Sequence, residues 1–277
     1  MVFLREIMPE LPEVETVARE LRTSVIHKRI ADIEVLWPKS FISQSGMDWH
    51  GQSITAVRRR GKYLLLDLDN SIFIVHLRMT GQLLFIYNHT ADKTDGYVRV
   101  IIHFSDGSRL LFRDVRKFGR IWHTDRAEDV LKNVGLDALS TEADHTYFFE
   151  QLQARKTNIK AFLLSQRFIA GLGNIYTDES LFRAGIHPAS VTKALDKKTA
   201  GLLLDEIRAV LKEALDNMGS TISDYRDAEG NKGGFQNYFA VYSRQDLPCK
   251  KCGTTIVKQK LAGRGTHFCP RCQKVYT

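Results

Sequence analysis

Two stretches of the chain hold residues whose types and spacing could do chemistry. The first is Met8-Pro9-Glu10-Leu11-Pro12-Glu13. A proline inside a chain is inert, because resonance draws its nitrogen lone pair into the peptide bond. A proline that begins a chain is a free secondary amine. With an α-amino pKa of about 7.7–8.0, a useful fraction is unprotonated near neutrality. Such an amine can attack an electrophilic carbon and hold it as a Schiff base. Glu10, one residue on, is near enough to trade protons at that carbon. The same residues also suit a frayed terminus with a proline turn; at this point both readings stand.

The second stretch is Cys249-x2-Cys252 and Cys269-x2-Cys272, with 16 residues between the pairs. Each CxxC turn places two sulfurs on one side of a knuckle, and two knuckles complete a tetrahedron. This is four-thiolate zinc spacing. Four cysteines leave no open position for water, so one structural Zn2+ is expected, on which so small a module depends for folding. All four cysteines of the chain lie here, which favours metal over disulfides and an intracellular setting. Between Arg244 and Lys274 eight basic residues face the single acid Asp246, and Ala262-Gly263-Arg264-Gly265 reads as a hairpin with an arginine at its tip. That suits phosphate contact, although a solvated charged face would look the same.

Weaker candidates lie between. Arg58-Arg59-Arg60-Gly61-Lys62 leads into the apolar Tyr63–Leu66 and could face phosphates or only water. In Arg113–Arg120, Phe118 among cations could wedge into a base stack or belong to the core. Met79 closes His76-Leu77-Arg78-Met79, where packing is the ordinary role of a methionine. Gly171-Leu172-Gly173-Asn174 opens a helix and offers backbone N–H groups to a phosphate.

The elements that must position these residues follow from periodicity. At 277 residues the chain is long enough for two domains, and its net charge of +8 admits a polyanionic partner. No apolar run is long enough to span a membrane, and Met1–Ile7 is too short for a secretory signal. Pro12 to about Lys28 predicts a helix whose stripe is Val14, Val17, Ala18, Leu21 and Val25. From Arg29 to Thr124 strands follow, with hairpin turns at Asp69-Asn70 and Asp106-Gly107, giving a sandwich or barrel. Leu131 to about Thr146 reads as a linker. Helices are expected at Thr146–Leu164, Asn174–Ala184 and Asp196–Met218, the last capped by Asp196. Ser220–Gln236 is polar and glycine-bearing, a loop.

Taken in order, Pro9–Thr16, Lys62, His76–Gly81, Arg113–Gly119, Gly171–Glu179 and the four-cysteine finger resemble the formamidopyrimidine-DNA glycosylases, bacterial repair enzymes, from Met8 to the C-terminus. The resemblance implies an α+β multidomain fold. Its parts would be a two-layer β-sandwich with an N-terminal helix (9–133), a linker (134–146), a helix-two-turn-helix domain with a lesion-capping loop (147–240) and a zinc-finger β-hairpin (241–277). Residues 1–8 would be an extension absent from the mature protein. By position, Pro9 would be the nucleophile and Glu10 the proton donor that opens the sugar ring. Lys62 and Arg264 would meet the lesion and its phosphates. Met79, Arg116 and Phe118 would fill the gap left by the extruded base, with Arg116 on the orphaned cytosine. Lys117, Lys160 and Asn174 would contact DNA, and Glu13 and Glu179 would lie by the base pocket. The implied activity is a glycosylase and AP lyase on double-stranded DNA carrying 8-oxoguanine or ring-opened purines, by β,δ-elimination; the family expectation is a cytoplasmic monomer.

Two features depart from the pattern. Lys117 stands where some relatives carry arginine, keeping the charge but losing the planar fork. Seven residues precede Met8, and while they remain attached the Pro9 nitrogen is an amide; translation from Met8 and its removal would free the amine. Two other readings share many of these residues. One is an endonuclease VIII-like enzyme for oxidised pyrimidines, which has the same proline–glutamate start. The other is a non-catalytic zinc-finger DNA-binding protein, which would form no borohydride-trapped adduct. An RNA-binding zinc protein is remote, since no RNA-reading motif is visible.

Overall fold

The computed structural model describes residues 8–87, 95–221 and 233–277. The chain forms two compact units: residues up to Lys132 together with Asn217–Gly234, and Asn133–Asp216 together with Phe235–Thr277. Met1–Ile7 and most of the Ser220–Gln236 loop lie outside the described residues.

The first unit opens on α1 (Leu11–Ser24), with Pro12 in its first turn, where a missing N–H costs nothing. Its strands are β1 (Ile30–Val35), β2 (Phe41–Ser43), β3 (Ile54–Arg60), β4 (Tyr63–Leu68), β5 (Ile72–His76), β6 (Gly81–Ile86), β7 (Val98–Phe104), β8 (Arg109–Asp114) and β9 (Arg120–Thr124), followed by the short α2 (Glu128–Leu131). They form a five-stranded sheet, β2-β9-β5-β4-β3, and a four-stranded sheet, β1-β7-β8-β6. Val75, Leu64 and Ile121 of the first sheet, Val100, Phe112 and Leu83 of the second, and the α1 stripe share one core. The expected sandwich is therefore present, with α1 closing it. A register shift between Val98 and Val100 turns Val98 to the same outer side as Ile101 and Leu111, while Val100, Ile102 and Phe104 face the core.

The Asp69-Asn70 and Asp106-Gly107 hairpins are found as expected. The basic run Arg58–Lys62 contains a turn. Gly61 has φ +58 and reverses the chain between β3 and β4, with Arg60 opposite Tyr63. Lys62 leaves the strand and is buried. Arg58 pairs with Asp67 across the hairpin.

In the second unit the expected linker is built in. β10 (Leu136–Asp137) pairs in parallel with β11 (Ile169–Ala170). Arg208 donates to the carbonyls of Ala138, Ser140 and Ala143, so this irregular backbone is satisfied by a side chain rather than a ladder. The helix expected over Thr146–Leu164 is two, α3 (His145–Gln153) and α4 (Ile159–Leu164). Each has its own cap: Asp144 accepts from Tyr147 N–H and Asn158 from Ala161 N–H. α5 (Asn174–Arg183) and α6 (Lys197–Asp216) follow, and Asp196 caps α6 through Thr199 N–H at 2.7 Å. The finger hairpin is β12 (Val257–Leu261) and β13 (Arg264–Phe268). Ala262 and Gly263 both have positive φ, so these two residues are the turn and Arg264 closes it opposite Leu261. No described helix is long and apolar enough to cross a membrane.

α1 is held to the sheet by charge as well as by its stripe. The Glu15 carboxylate accepts from Arg59 Nε at 2.8 Å and Arg22 Nη1 at 2.9 Å, and Arg22 Nε reaches the Val57 carbonyl at 2.8 Å. Burial pushes the Glu15 carboxyl up, but the hydrogen bonds and charges of Arg22 and Arg59 outweigh it and hold it below its ordinary 4.5. Glu15→Gln removes the negative charge that faces the nearly buried Arg59 and is expected to cost about 2–3 kcal/mol at pH 7, read as a lower urea midpoint at unchanged m. A carboxyl lowered by folding stabilises fully above its unfolded value and loses that contribution as pH falls through its folded value. The gap between wild type and variant should therefore close on acidification below pH 4.5.

Candidate active site and nucleic-acid interface

Pro9 and Glu10 are buried immediately before α1. Glu13, one turn into the helix, shapes this start. One carboxylate oxygen accepts from Glu10 N–H at 2.9 Å. The other accepts from Ser220 N–H at 2.7 Å and from Ser220 Oγ at 3.1 Å. Glu13 thus ties the residue after Pro9 to the segment ending at Ser220. Gly219 lets that segment pass: it has φ +74, and a Cβ there would sit 2.8 Å from Glu13 Oε1. The positive end of the α1 dipole lies at Pro9 and disfavours protonation of an amine placed there.

Lys62 follows Gly61 in the β3–β4 turn, and Arg59 Nη1 donates to the Gly61 carbonyl at 3.0 Å. Arg59 therefore links Glu15 on α1 to the turn that carries Lys62. His76 ends β5 opposite Tyr63, their rings edge-on at 4.5 Å. Burial, then the charges of Arg78 and Lys62, lower its pKa to about 3, so it is neutral. Its Nδ1 accepts from Arg78 N–H at 3.0 Å, which puts the ring proton on Nε2.

Past His76, Met79 is half-buried in the turn leading to β6. Arg116, Lys117 and Phe118 are exposed in the loop between β8 and β9. The Arg116 guanidinium lies 5.1 Å from the Phe118 ring centre, and Lys117 Nζ lies 4.0 Å from that of Trp37. An exposed aromatic with a guanidinium over its face is the kind of group that enters a base stack.

The second unit gathers Asn174, Lys160 and the finger tip. Gly265, next to Arg264, presents its carbonyl to Asn174 Nδ2 at 2.9 Å and Lys160 Nζ at 3.5 Å. Lys160 is fully buried and pairs with Asp178 at 2.6 Å. The second Asp178 oxygen accepts from His267 N–H at 2.9 Å. Glu179 is also fully buried. Its oxygens accept from the consecutive N–H groups of Ala240, Val241 and Tyr242 at 2.9, 3.0 and 2.8 Å. Lys160 and Glu179, expected beside DNA and the base pocket, thus have interior partners here: they order the helix-to-finger segment. Sequence patterning does not single out Asp178 or His267. The signal for Asp178 is an acid inside an otherwise buried helix face, which periodicity alone cannot tell from a solvated one.

The four cysteine sulfurs lie within 4.8 Å of one another. Cys249 and Cys272 are 3.9 Å apart, and Cys252 and Cys269 3.5 Å. Tetrahedral zinc with bonds of about 2.3 Å needs sulfurs roughly 3.8 Å apart, so one ion fits. Lys251 N–H donates to Cys249 Sγ at 3.4 Å, as a knuckle requires. One structural Zn2+ cross-links the finger. One zinc per chain is therefore expected by elemental analysis, and its loss on Cys252→Ser should open 257–268 to proteolysis while α1 and the sandwich stay protected.

Comparison with known proteins agrees from residue 8 onward. Residues 8–121 match the formamidopyrimidine-DNA glycosylase N-terminal domain, 134–226 its H2TH domain, and 246–275 the zinc finger found in FPG and IleRS. The formamidopyrimidine-DNA glycosylase of Bacillus licheniformis is 44% identical over 96% of this chain and 100% of its own. That of Bacillus subtilis is 40% identical over 96% and 99%. The crystal structure of the MutM (FPG) protein of Thermus thermophilus superimposes with a TM-score of 0.87 at 38% identity, covering 97% of this chain and 100% of that one. A Lactococcus lactis FPG mutant in complex with Fapy-dG containing DNA gives 0.88 at 37% identity, covering 96% and 100%. Similarity of this extent takes in the buried proline–glutamate start, the helical unit and the four-thiolate finger alike, and the chain belongs to the formamidopyrimidine-DNA glycosylase family.

Proposed function

We propose that Pro9, as the first residue of the working polypeptide, is the nucleophile of an enzyme that removes oxidised purines from double-stranded DNA. Family membership makes the chain a base-excision repair glycosylase with AP lyase activity. The observation that carries the assignment to Pro9 is its fixed place before α1, where the Glu13 carboxylate holds the N–H of the very next residue. A reactive group so supported keeps its geometry against a substrate.

The chemistry then runs as one path. The amine lone pair of Pro9 attacks C1′, and the bond to the damaged base breaks with the base as leaving group. Glu10 delivers a proton to the ring oxygen, the sugar opens, and an iminium joins nitrogen to C1′. The iminium acidifies C2′. Loss of that proton expels the 3′ phosphate, and a second elimination expels the 5′ phosphate. Water hydrolyses the iminium and returns the amine. Extruding the damaged nucleotide costs a few kcal/mol of unstacking. Met79, Arg116 and Phe118 offset part of that cost by filling the gap. Lys62, Asn174, Arg264 and Lys117 contact phosphates. Arg116 addresses the orphaned base. Glu13 supports the Pro9 site through the Glu10 N–H, Glu179 orders residues 240–242, and Lys160 supports the finger. The chain acts in the bacterial cytoplasm, on DNA.

A free amine at Pro9 requires a start at Met8 and its removal. The family match that begins at residue 8, with relatives covered over their full lengths by 96% of this chain, supports that start. One related structure, the wild-type Lactococcus lactis FPG, is a complex with an oxidized pyrimidine containing DNA. Pyrimidine lesions are thus a second substrate class to test.

Borohydride trapping on an 8-oxoguanine:C duplex decides the assignment. A chain beginning at Pro9 should give a covalent adduct that maps to Pro9, and a chain made to retain Met1 should give none. An adduct on Lys62 or any other side chain would refute it. Faster cleavage of a thymine-glycol duplex than of 8-oxoguanine:C would move the substrate to pyrimidines.

A further inference from the structure

Met79 and the Arg116–Phe118 pair stand on different turns, yet they must enter the duplex together. Arg116 and Phe118 are exposed and Met79 is only half-buried, so packing on the side chains themselves does little to set where they point. The control lies in the backbone beneath them. Asp114, the last residue of β8, pairs with Gly81 at the start of β6 and is fully buried. Its Oδ1 accepts the Thr80 hydroxyl, from the residue after Met79. The same oxygen accepts Arg116 N–H at 3.1 Å, and Thr80 Oγ1 accepts that N–H as well, also at 3.1 Å. Its Oδ2 accepts Gly119 N–H at 2.7 Å, just past Phe118. Arg99 Nε donates to the Asp114 backbone carbonyl at 2.8 Å and fixes the residue from behind.

Two further details show how constrained the turns are. Arg78 and Lys117, each beside a member of the trio, have φ of 54° and 61°. Side-chain-bearing residues hold that conformation only where their surroundings impose it. At Gly119 a Cβ would run into the Phe112 ring and sit 3.2 Å from Asp114 Oδ2, so only glycine lets its N–H reach the acid.

We infer that Asp114 is a positioning residue that joins the two turns into one preformed wedge, so that Met79, Arg116 and Phe118 insert as a unit. This rests on the gap-filling role proposed above. Without the acid the two turns would find their places separately during insertion. Extrusion of the lesion and reading of the opposite base would suffer, while the amine chemistry would not.

Asp114→Asn keeps the shape but puts a donor where one acceptor was. Thr80→Val removes the hydroxyl, and Thr80→Ser restores it. On an 8-oxoguanine:C duplex, kcat/KM should fall at least about tenfold for Asp114→Asn, within the ~100-fold that misplacement of about 1 Å can cost. Thr80→Val should fall in the same direction and Thr80→Ser should return most of the loss. The 2-aminopurine signal of unstacking beside the lesion should weaken in parallel, and discrimination between opposite C and A should narrow. On a single-stranded abasic oligonucleotide, where no gap needs filling, borohydride trapping should stay within about twofold. Equal loss of single-strand trapping would overturn the inference in favour of a general structural role, and so would wild-type unstacking and opposite-base discrimination in Asp114→Asn. Phe118→Ala and Met79→Ala, run alongside, separate the two ideas. If they leave duplex excision intact, the gap-filling role itself fails; if they impair it while Asp114→Asn does not, only the positioning role fails.

Discussion

A buried carboxylate must find donors, and the nearest ones are backbone N–H groups. Glu13 meets that demand with Glu10 on one side and Ser220 on the other, and so fixes the chain around Pro9. Its desolvation is what makes the arrangement rigid. A carboxylate in water would exchange partners freely, whereas one at 2% exposure cannot lose a donor without a cost of about 1–3 kcal/mol. The Pro9–Glu10 segment thereby has a defined position although it precedes the first helix.

The same device recurs wherever irregular backbone must be held. Glu179 gathers three successive N–H groups in the segment that leads into the finger. Asp178 takes Lys160 and His267 and seats β13 beside α4 and α5. Glu15, less buried, spans from α1 to Arg59 and through it to the turn of Lys62. The regular sheets and helices supply the stiffness, and acids carried on them pass it on to the irregular segments beside them. Turns ordered in this way can be exposed to a polyanion and still keep their shape.

This pattern also explains what is legible in the sequence. The α1 stripe, the Asp106-Gly107 hairpin and the cysteine spacing are local signals, and each is present as read. The break after Gln153 is hidden because apolar residues continue through Phe162 and Leu163, while the Asn158 cap that restarts the helix is one polar residue among several. Arg58–Lys62 reads as one strand because a lone glycine at φ +58 does not announce a reversal. The segment after Leu131 looks like a linker because its order comes from Arg208, some seventy residues away in the chain. Lys160 and Glu179 can be matched to a family pattern, but their fully buried partners are long-range and have no sequence signature. Local periodicity reports which face is apolar; it does not report which charged residue has a partner waiting inside.

Gly219 carries a further implication, at the level of the gene. Its φ of +74 and the 2.8 Å that a Cβ would leave to Glu13 Oε1 make glycine the one residue that fits. Glycine codons are GGN, and a change of the second guanine to thymine writes valine, whose branched Cβ tolerates that backbone least. A single oxidised guanine left in place at this codon can therefore end in a repair enzyme with a displaced Glu13. A position with no room for a side chain is thus one base change away from losing the anchor that holds Glu10.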